Sequence, residues 1–226
     1  MDKVVISIGG SVLVPDEDDA NYMKKLASIL KELSATHKLF VVTGGGKIAR
    51  YYISFGRALS ADERYLDELG IEVTRLNARL LIKALGDHVY PKPAVNIDEA
   101  EEAGEKHPIV VMGGTSPGHT TDAVSAMLAD RVGAVRLVNA TSVDGVYDSD
   151  PKKNDNAKKF DRMSYEQLRG VSSKEHDRAG PTVIFDPDGA KIILKAKIPL
   201  LVCHGRDLDT LKNAISGKEF NGTMVD

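Results

Sequence analysis

The sequence is poor in cysteine and in aromatic residues: its 226 residues include one Cys, no Trp and 5% aromatic residues in all. The single Cys203 excludes an intramolecular disulfide and a cysteine-rich zinc site, which is typical of a protein from a reducing compartment. Because Cys203 lies in an apolar, strand-like run, we interpret it as a small buried side chain rather than as a nucleophile.

Long apolar runs and an excess of one charge are absent as well. No stretch approaches the roughly 18 apolar residues of a membrane span, and the N-terminal residues lack the basic start and apolar core of a secretion signal. Thirty Lys and Arg against 33 Asp and Glu give a net charge of -3, which excludes a broad basic field. We therefore expect a cytoplasmic protein that binds neither a nucleic-acid polymer nor a membrane.

The chain does contain short β-branched runs that alternate with longer segments of helical period. This alternation predicts an α/β fold with a mainly parallel sheet between helical layers, and the length favours a single domain. Strands are predicted at residues 4–8, 39–42, 109–112, 135–138, 183–185 and around Cys203. Helices are predicted at residues 21–33, 47–59, 66–85, 122–132, 165–168, 189–197 and 208–215.

Two of these segments carry residues that interrupt regular structure. Gly70, with branched residues just after it, introduces a potential break near the start of the helix predicted at 66–85. Pro91 and Pro93 restrict residues 88–95 to a sheet edge or a loop, because proline has no backbone N–H to donate to a neighbouring strand.

Three glycine-rich turns, at residues 9–11, 44–47 and 113–118, each follow a predicted strand. Because the carboxyl ends of parallel strands meet at one edge of a sheet, we expect the three turns to lie together there. Backbone without side chains lets phosphate oxygens reach N–H groups, and the helix that follows contributes its positive end. The turns therefore predict a polyphosphate site built from local donors.

Two familiar phosphate motifs do not fit these turns. Residues 46–48 read Gly-Lys-Ile, so the hydroxyl that a P-loop places on magnesium is missing. Gly44, Gly46 and Ala49 satisfy a dinucleotide pattern, but the acid about 20 residues on, Asp67, lies in a helical pattern rather than at a strand end. A P-loop is excluded and a nicotinamide dinucleotide is disfavoured, which leaves the glycines for another phosphate ligand.

With these residues in view, the chain resembles the amino acid kinase superfamily and, within it, the uridylate kinases, most closely those of archaeal type. The resemblance runs from Val4 to about Val225. The motifs that carry it are Ile8-Gly-Gly-Ser-Val12, Val42-Thr-Gly-Gly-Gly-Lys-Ile-Ala-Arg50, Leu76-Asn-Ala78, Met112-Gly-Gly-Thr-Ser-Pro-Gly-His-Thr-Thr-Asp122 and Val143-Asp-Gly-Val-Tyr-Asp-Ser-Asp-Pro151.

The resemblance implies a three-layer αβα sandwich with an open, mainly parallel central sheet. It implies one domain over residues 1–226, with an acceptor lobe at about 1–133 and an ATP lobe at about 134–226. The implied activity is ATP-dependent phosphorylation of UMP to UDP in pyrimidine nucleotide biosynthesis, with Mg²⁺ accompanying ATP. Relatives form homo-oligomers, commonly hexamers built from dimers, and the apolar helix near residues 51–59 is a candidate contact.

Matching motif positions assigns the two nucleotides to different residues. The resemblance implies ATP contacts at Ser7, Gly9, Gly10, Ser11, Gly45, Arg50, Thr141, Ser142, Tyr147 and Asp150. It implies UMP contacts at Gly44, Asp67, Gly114, Thr115, Ser116, Pro117, Gly118, His119 and Thr120. On sequence alone Arg50 is as readily a surface ion-pair partner. The residues alone favour a solvated helical acid for Asp67 and an incidental exposed turn residue for His119, and only the resemblance assigns them to UMP.

Three residues are candidates for catalysis, namely Asp122, Lys47 and Lys191. Asp122 resembles the acid that orients the family's catalytic lysines, although an acid at a helix start also stabilises the helix dipole. Many family members carry a Lys where this chain has Ser7, so the missing charge must come from another cation or from the metal. Lys3 lies four residues away along the strand, about 13 Å, which is too far to substitute.

The same fold also serves kinases with other acceptors, such as carbamate, an amino-acid carboxylate or isopentenyl phosphate. The motif at residues 112–122 favours UMP among these acceptors. A different alternative is a catalytically silent nucleotide-binding protein, for which Ser7 is the main support.

Overall fold

The computed structural model describes residues 1–15, 20–149, 154, 156–176 and 185–226. Its strands are β1 (Asp2–Ile8), β2 (His37–Thr43), β3 (Ile109–Met112), β4 (Arg136–Thr141), β5 (Val146–Tyr147), β6 (Lys159–Phe160), β7 (Arg162–Met163), β8 (Leu200–His204) and β9 (Gly222–Val225). Its helices are α1 (Gly10–Leu13), α2 (Ala20–Leu33), α3 (Gly46–Ala58), α4 (Glu63–Leu85), α5 (Ile97–Lys106), α6 (Thr121–Val132), α7 (Tyr165–His176), α8 (Pro187–Ala196) and α9 (Leu208–Ser216). Asp150 and most of the strand predicted at 183–185 lie outside the described residues.

Seven of the described strands form one sheet in the order β3-β2-β1-β4-β8-β9-β7. The first five of these run parallel to one another, and β9 reverses direction against β8. A separate antiparallel pair, β5 and β6, stands apart from this sheet. The predicted open, mainly parallel sheet is therefore confirmed.

Both faces of the sheet are covered, as the unbroken apolar runs of its strands predict. Alternate residues of β1 point to opposite faces: Val4, Ile6 and Ile8 join a core with α2, α4 and α9. Val5 joins a second core with α5, α6 and α8 on the other face. The predicted three-layer αβα sandwich follows from this division, with the glycine turns at its rim.

The potential break at Gly70 does not occur, because α4 is continuous from Glu63 to Leu85. Its buried stripe, which includes Leu66 and Leu81, packs along its length and holds the helix together. A Cβ at Gly70 would lie 3.4 Å from the end of the Ile53 side chain of α3, an ordinary van der Waals distance, so helix packing does not require glycine there. Across the described ranges, no helix combines the length and the apolar character needed to cross a lipid bilayer.

The segment with the two prolines runs along the outer side of β3. Ala94 forms an isolated parallel bridge with Met112, and the Tyr90 amide donates to the Ile109 carbonyl at 2.9 Å. The prediction of an edge or loop is thus confirmed, since this segment lies at the sheet margin.

Candidate active site

The three glycine turns meet at the carboxyl edge of the sheet, as predicted. They border two adjoining cavities. The β1 cavity has a volume of about 310 Å³ and is lined by Ser7, Gly9, Gly10, Ser11, Val12, Gly44, Gly45, Gly46, Arg50, Thr121, Asp122, Asn139, Thr141 and Ser142. The α4 cavity has a volume of about 570 Å³ and is lined by Gly45, Gly46, Ala49, Arg50, Ile53, Asp67, Gly70, Ile71, Thr74, Gly114, Ser116, Gly118, His119, Thr120 and Thr121.

Four residues, Gly45, Gly46, Arg50 and Thr121, line both cavities and form their shared wall. Two of them belong to a turn whose backbone touches that of the first glycine turn. A Cβ on Gly46 would lie 2.5 Å from the carbonyl carbon of Gly10, and Gly46 has a φ of +64°. A Cβ on Gly10 would overlap the Gly46 amide nitrogen. Only glycine permits this approach, so both turns present bare amides to the junction.

Arg50 lies one turn inside α3 and is exposed at the mouth of both cavities. Its Nη2 donates to the Ser11 hydroxyl oxygen at 3.3 Å, so the guanidinium spans from α3 to the first glycine turn. Arg50 therefore brings a fixed positive charge to the wall where the cavities meet.

Asp122 is the second residue of α6 and lines the β1 cavity. The preceding Thr120 caps the helix, because its hydroxyl accepts from the Ala123 amide at 3.1 Å. The Asp122 carboxylate accepts from the Ser7 hydroxyl at 3.3 Å and from the Asp186 amide at 3.4 Å. Burial, together with the neighbouring Asp186 carboxylate, raises the pKa of Asp122 to about 6 in spite of these hydrogen bonds.

Ser7 is 3% exposed and pairs with Val42 of β2 and Asn139 of β4. It occupies the central strand just before the first glycine turn. The structure thus joins Ser7 to Asp122 by a hydrogen bond at the position where many relatives were expected to carry a lysine. Asn139 lines the same cavity and was missed by sequence reasoning, because a polar residue at a strand end has no distinctive pattern.

The α4 cavity brings Asp67 of α4 against the third glycine turn. The Asp67 carboxylate accepts from the Gly118 amide at 2.8 Å, and Gly118 has a φ of +86°. Ser116 and His119 also line this cavity, and their side chains lie 3.1 Å apart, Oγ to Nδ1. Thr115 and Pro117 complete the turn but are not among the described residues that line the cavity.

Two residues of α4 that sequence reasoning missed also contact this turn, since Thr74 and Arg75 both contact Gly114. Asn77, which belongs to the Leu76-Asn-Ala78 motif but was given no role, donates from its side chain to the Gly44 carbonyl of the second glycine turn at 2.8 Å. The available signal was a pair of polar residues, Thr74 and Asn77, on the apolar stripe of a helix.

At the end of β4, Thr141 and Ser142, which the resemblance assigns to ATP, line the β1 cavity beside the first glycine turn. Tyr147 of β5 lies beyond the described lining, and its hydroxyl donates to Asp144 at 2.7 Å. That hydrogen bond raises the pKa of Tyr147. Burial alone would raise the pKa of Asp144, but the Tyr147 hydroxyl and the Lys159 ammonium at 3.4 Å together lower it.

The two candidate lysines are both exposed, and neither is among the described residues that line the cavities. Lys47 lies in the first turn of α3. Lys191 lies on α8, and its Nζ pairs with Asp188 at 2.7 Å. Helix α8 begins directly after Asp186, whose amide donates to Asp122, and Lys191 is the fifth residue of that helix.

Comparison with known proteins agrees with this arrangement. A sequence model described as the amino acid kinase family matches residues 2–204. The uridylate kinase of Methanoculleus marisnigri is 49% identical over 225 residues, covering 100% of this chain and 96% of that protein. The uridylate kinase of Thermococcus sibiricus is 45% identical over 224 residues, covering 99% of each chain.

Solved structures give the same result. The crystal structure of uridylate kinase from Archaeoglobus fulgidus superposes with a TM-score of 0.90 at 42% identity, covering 100% of both chains. The UMP kinase of Bacillus anthracis, at 20% identity and a TM-score of 0.81, shares the fold. Full-length identity of this size, together with the glycine turns and their two cavities, shows that the chain belongs to the amino acid kinase family and, within it, to the uridylate kinases.

Proposed function

We propose that this protein transfers the γ-phosphoryl group of ATP to UMP, giving ADP and UDP, in pyrimidine nucleotide biosynthesis in the cytoplasm. The observation that carries the proposal is the wall shared by the two cavities, formed by Gly45, Gly46, Arg50 and Thr121. Phosphoryl transfer requires the two phosphate groups to lie end to end. Backbone amides and a guanidinium at the junction of two adjoining cavities can hold two phosphate groups in that arrangement.

The α4 cavity is the proposed site for UMP. The Asp67 carboxylate at its edge is an acceptor suited to ribose hydroxyls, and the turn at residues 114–120 supplies amides and hydroxyls. The β1 cavity is the proposed site for the ATP phosphates, with Gly9, Gly10 and Ser11 beneath the transferred group. Thr141 and Ser142 would lie toward the ATP ribose, and Tyr147 toward the adenine.

In the proposed step, a phosphate oxygen of UMP attacks the γ-phosphorus while the bond to the β-phosphate oxygen breaks. The attacking oxygen is already anionic at neutral pH, so the chain needs no general base. The work left to the protein is alignment and neutralisation of the charge that spreads over the transferred oxygens. Asp122 would orient that network through Ser7 and the Asp186 amide.

Mg²⁺ is proposed to enter with ATP rather than as a resident ion. Among the described residues, no cluster of three or more His, Cys, Asp or Glu side chains could hold a metal ion. The described lining of the β1 cavity offers the Asp122 carboxylate and the hydroxyls of Ser7, Ser11 and Thr141. This donor set fits a Mg²⁺ ion that keeps most of its own waters and neutralises phosphate charge.

Arg50 is the proposed source of the charge that the family lysine supplies elsewhere, since it lines both cavities. Lys191 is the second proposed cation, which requires its ammonium to leave Asp188. Arg50→Ala or Lys191→Ala should slow turnover by roughly 10² if either side chain stabilises transition-state charge. Arg57→Ala is the matched control, because Arg57 lies on the same helix in an exposed pair with Glu63. A normal rate removes the altered residue from the mechanism.

A second copy of the chain is the proposed partner of the outer face of α3. Tyr51, Phe55 and Leu59 are 65%, 57% and 70% exposed, and the rings of Tyr51 and Phe55 stack with centroids 6.4 Å apart. Such a cluster of exposed apolar side chains favours a symmetric contact. Sedimentation should show a dimer-based oligomer, up to the hexamer expected from relatives, and Phe55→Glu should reduce it to smaller species. A wild-type monomer would contradict this assignment.

The activity is tested by a coupled assay of ADP release with UMP, CMP, isopentenyl phosphate, carbamate and an amino-acid carboxylate as acceptors. We expect turnover with UMP to exceed that with each non-nucleotide acceptor by at least 10² in kcat/KM. Preference for another acceptor would overturn the proposal. ATP binding by calorimetry without turnover on any acceptor would instead indicate a silent nucleotide-binding protein.

A further inference from the structure

Two consecutive residues of α4 hold both polar backbone groups of Gly114. The Thr74 hydroxyl oxygen accepts from the Gly114 amide at 2.7 Å, and the Arg75 Nε donates to the Gly114 carbonyl at 3.3 Å. The same hydroxyl donates to the Ile71 carbonyl at 2.6 Å, which fixes its orientation. Thr74 is 6% exposed, so its contact with the amide is shielded from competing water.

The Arg75 guanidinium also joins segments that are distant in sequence. Its Nη2 donates to the carbonyls of Thr115 and Val95, both at 3.3 Å, and its Nη1 pairs with Glu72 at 3.1 Å. The Arg75 side chain is 23% exposed, whereas that of Glu72 is 70% exposed. Because a planar guanidinium has five donors in a fixed fork, it can bridge three carbonyls, which a lysine ammonium on a flexible stem does less well.

The helix that holds Gly114 is itself tied to the second glycine turn. The Thr43 hydroxyl donates to the Thr74 carbonyl at 2.9 Å, and the Asn77 side chain donates to the Gly44 carbonyl. These bonds fix α4 against the end of β2. The position of Gly114 relative to Gly44 is therefore set through Thr74 and Arg75.

We propose that Thr74 and Arg75 are positioning residues for the acceptor phosphate, acting through the backbone of Gly114 and Thr115. This inference rests on the proposed function, in which the turn that begins at Gly114 encloses UMP. Thr74 lines the α4 cavity, but its hydroxyl is engaged by the Ile71 carbonyl and the Gly114 amide, so its effect on the substrate is exerted through Gly114. Arg75 is not among the described residues that line either cavity, so its influence on the substrate is indirect. Loss of either anchor displaces the acceptor turn while the β1 cavity, where ATP is proposed to bind, keeps its own contacts.

The test compares steady-state kinetics of Arg75→Met and Thr74→Val with wild type. We expect KM for UMP to rise roughly tenfold in each variant, with KM for ATP changed by less than about twofold. Thr74→Ser retains the hydroxyl and should restore most of the affinity for UMP. Arg79→Met is the control, because Arg79 is exposed one turn further along the same helix.

A second measurement keeps the result independent of folding. Hydrogen exchange at the Gly114 amide, which donates to the Thr74 hydroxyl, should accelerate in Thr74→Val, with the strands unchanged. If KM for UMP stays at the wild-type value in both variants, the positioning role is wrong. A fall in kcat together with thermal stability, with KM unchanged, would indicate a purely structural role instead. If wild type itself does not phosphorylate UMP, the proposed function fails first, and the positioning of an acceptor fails with it.

Discussion

At the scale of single residues, Asp122 shows how the surroundings of a side chain determine its chemistry. The sequence placed Asp122 at a helix start, where the resemblance favours a catalytic role although an acid there also stabilises the helix dipole. The structure adds its burial, the Ser7 hydroxyl and the Asp186 amide, which depend on three separate segments. Thr74 and Arg75 were missed for a related reason: they bind carbonyls and amides, and backbone partners leave no mark in the sequence.

Substitution of Asp122 by Asn should stabilise the fold at alkaline pH and abolish most turnover. The folded-state pKa of about 6 lies above the ordinary value of 3.8, so folding favours the protonated carboxyl. Between pH 3.8 and pH 6 the folded chain binds more protons than the unfolded chain. The free energy of unfolding therefore falls as the pH rises toward 6. Asp122→Asn removes this penalty, so we expect its melting temperature to exceed that of wild type by about 3 °C at pH 8.

Differential scanning fluorimetry at pH 8 and pH 5 checks the sign of this effect. The advantage of Asp122→Asn should shrink at pH 5, where wild type is itself largely protonated. An advantage that stays constant with pH would show that Asp122 does not titrate near 6.

Tyr147 offers a prediction for the donor nucleotide. Its hydroxyl is held by Asp144, which also pairs with Lys159. Loss of this bond in Tyr147→Phe should free the ring and raise KM for ATP by about fivefold, with KM for UMP unchanged. Steady-state kinetics with each substrate varied in turn measures both constants. An equal rise in both would argue against a role confined to ATP.

At the scale of elements, most regular structure was predictable from local patterns, but helix α5 was missed even though the Asn96 side chain caps it by accepting from the Glu99 amide. The buried parallel strands β1 to β4 are apolar runs, α2 has apolar residues at helical spacing, and α3, α6 and α9 each have a cap or a glycine boundary. The two-residue strands β5, β6 and β7, and the C-terminal β9, were not predicted. Their pairing depends on partners far away in sequence, such as Leu200 with Val225, rather than on a local pattern.

The contact between the first two glycine turns predicts a strong effect of one methyl group. Gly10→Ala places a Cβ against backbone atoms of Gly44 and Gly46, which cannot yield without moving a turn. We expect a loss of about 2 kcal/mol in unfolding free energy and at least a tenfold loss in kcat. Gly170→Ala on α7 is the control, since no atom lies within 4 Å of its Cβ and helix propensity favours Ala.

Urea unfolding and the coupled assay measure the two effects. A normal kcat in Gly10→Ala would mean that the two turns tolerate separation. The close contact between them would then not be needed for phosphoryl transfer.

At the scale of the whole molecule, one sheet passes through both proposed lobes. The proposed boundary near residue 133 falls between α6 and β4, yet β4 pairs with β1 along five residues. The two lobes are therefore joined by the pairing of β1 with β4, and the β1 cavity proposed for the ATP phosphates is lined by residues of both lobes. We expect a single cooperative unfolding transition rather than two.

Hydrogen exchange with one nucleotide at a time tests the lobe assignment. UMP alone should slow exchange at residues 67–75 and 114–120, and a non-hydrolysable ATP analogue should slow it at 139–147. Protection of the same residues by both nucleotides would contradict the two-lobe assignment. Two separate melting transitions would contradict the single shared sheet.

The partition formed by Gly45, Gly46, Arg50 and Thr121 limits how such an enzyme can diverge. Each of these residues borders both compartments, so under the proposed assignment a replacement there alters the surroundings of the donor and acceptor nucleotides at once. On that assignment we expect new acceptor preferences to arise on the far side of the larger compartment, around Asp67 and His119, which border that compartment alone.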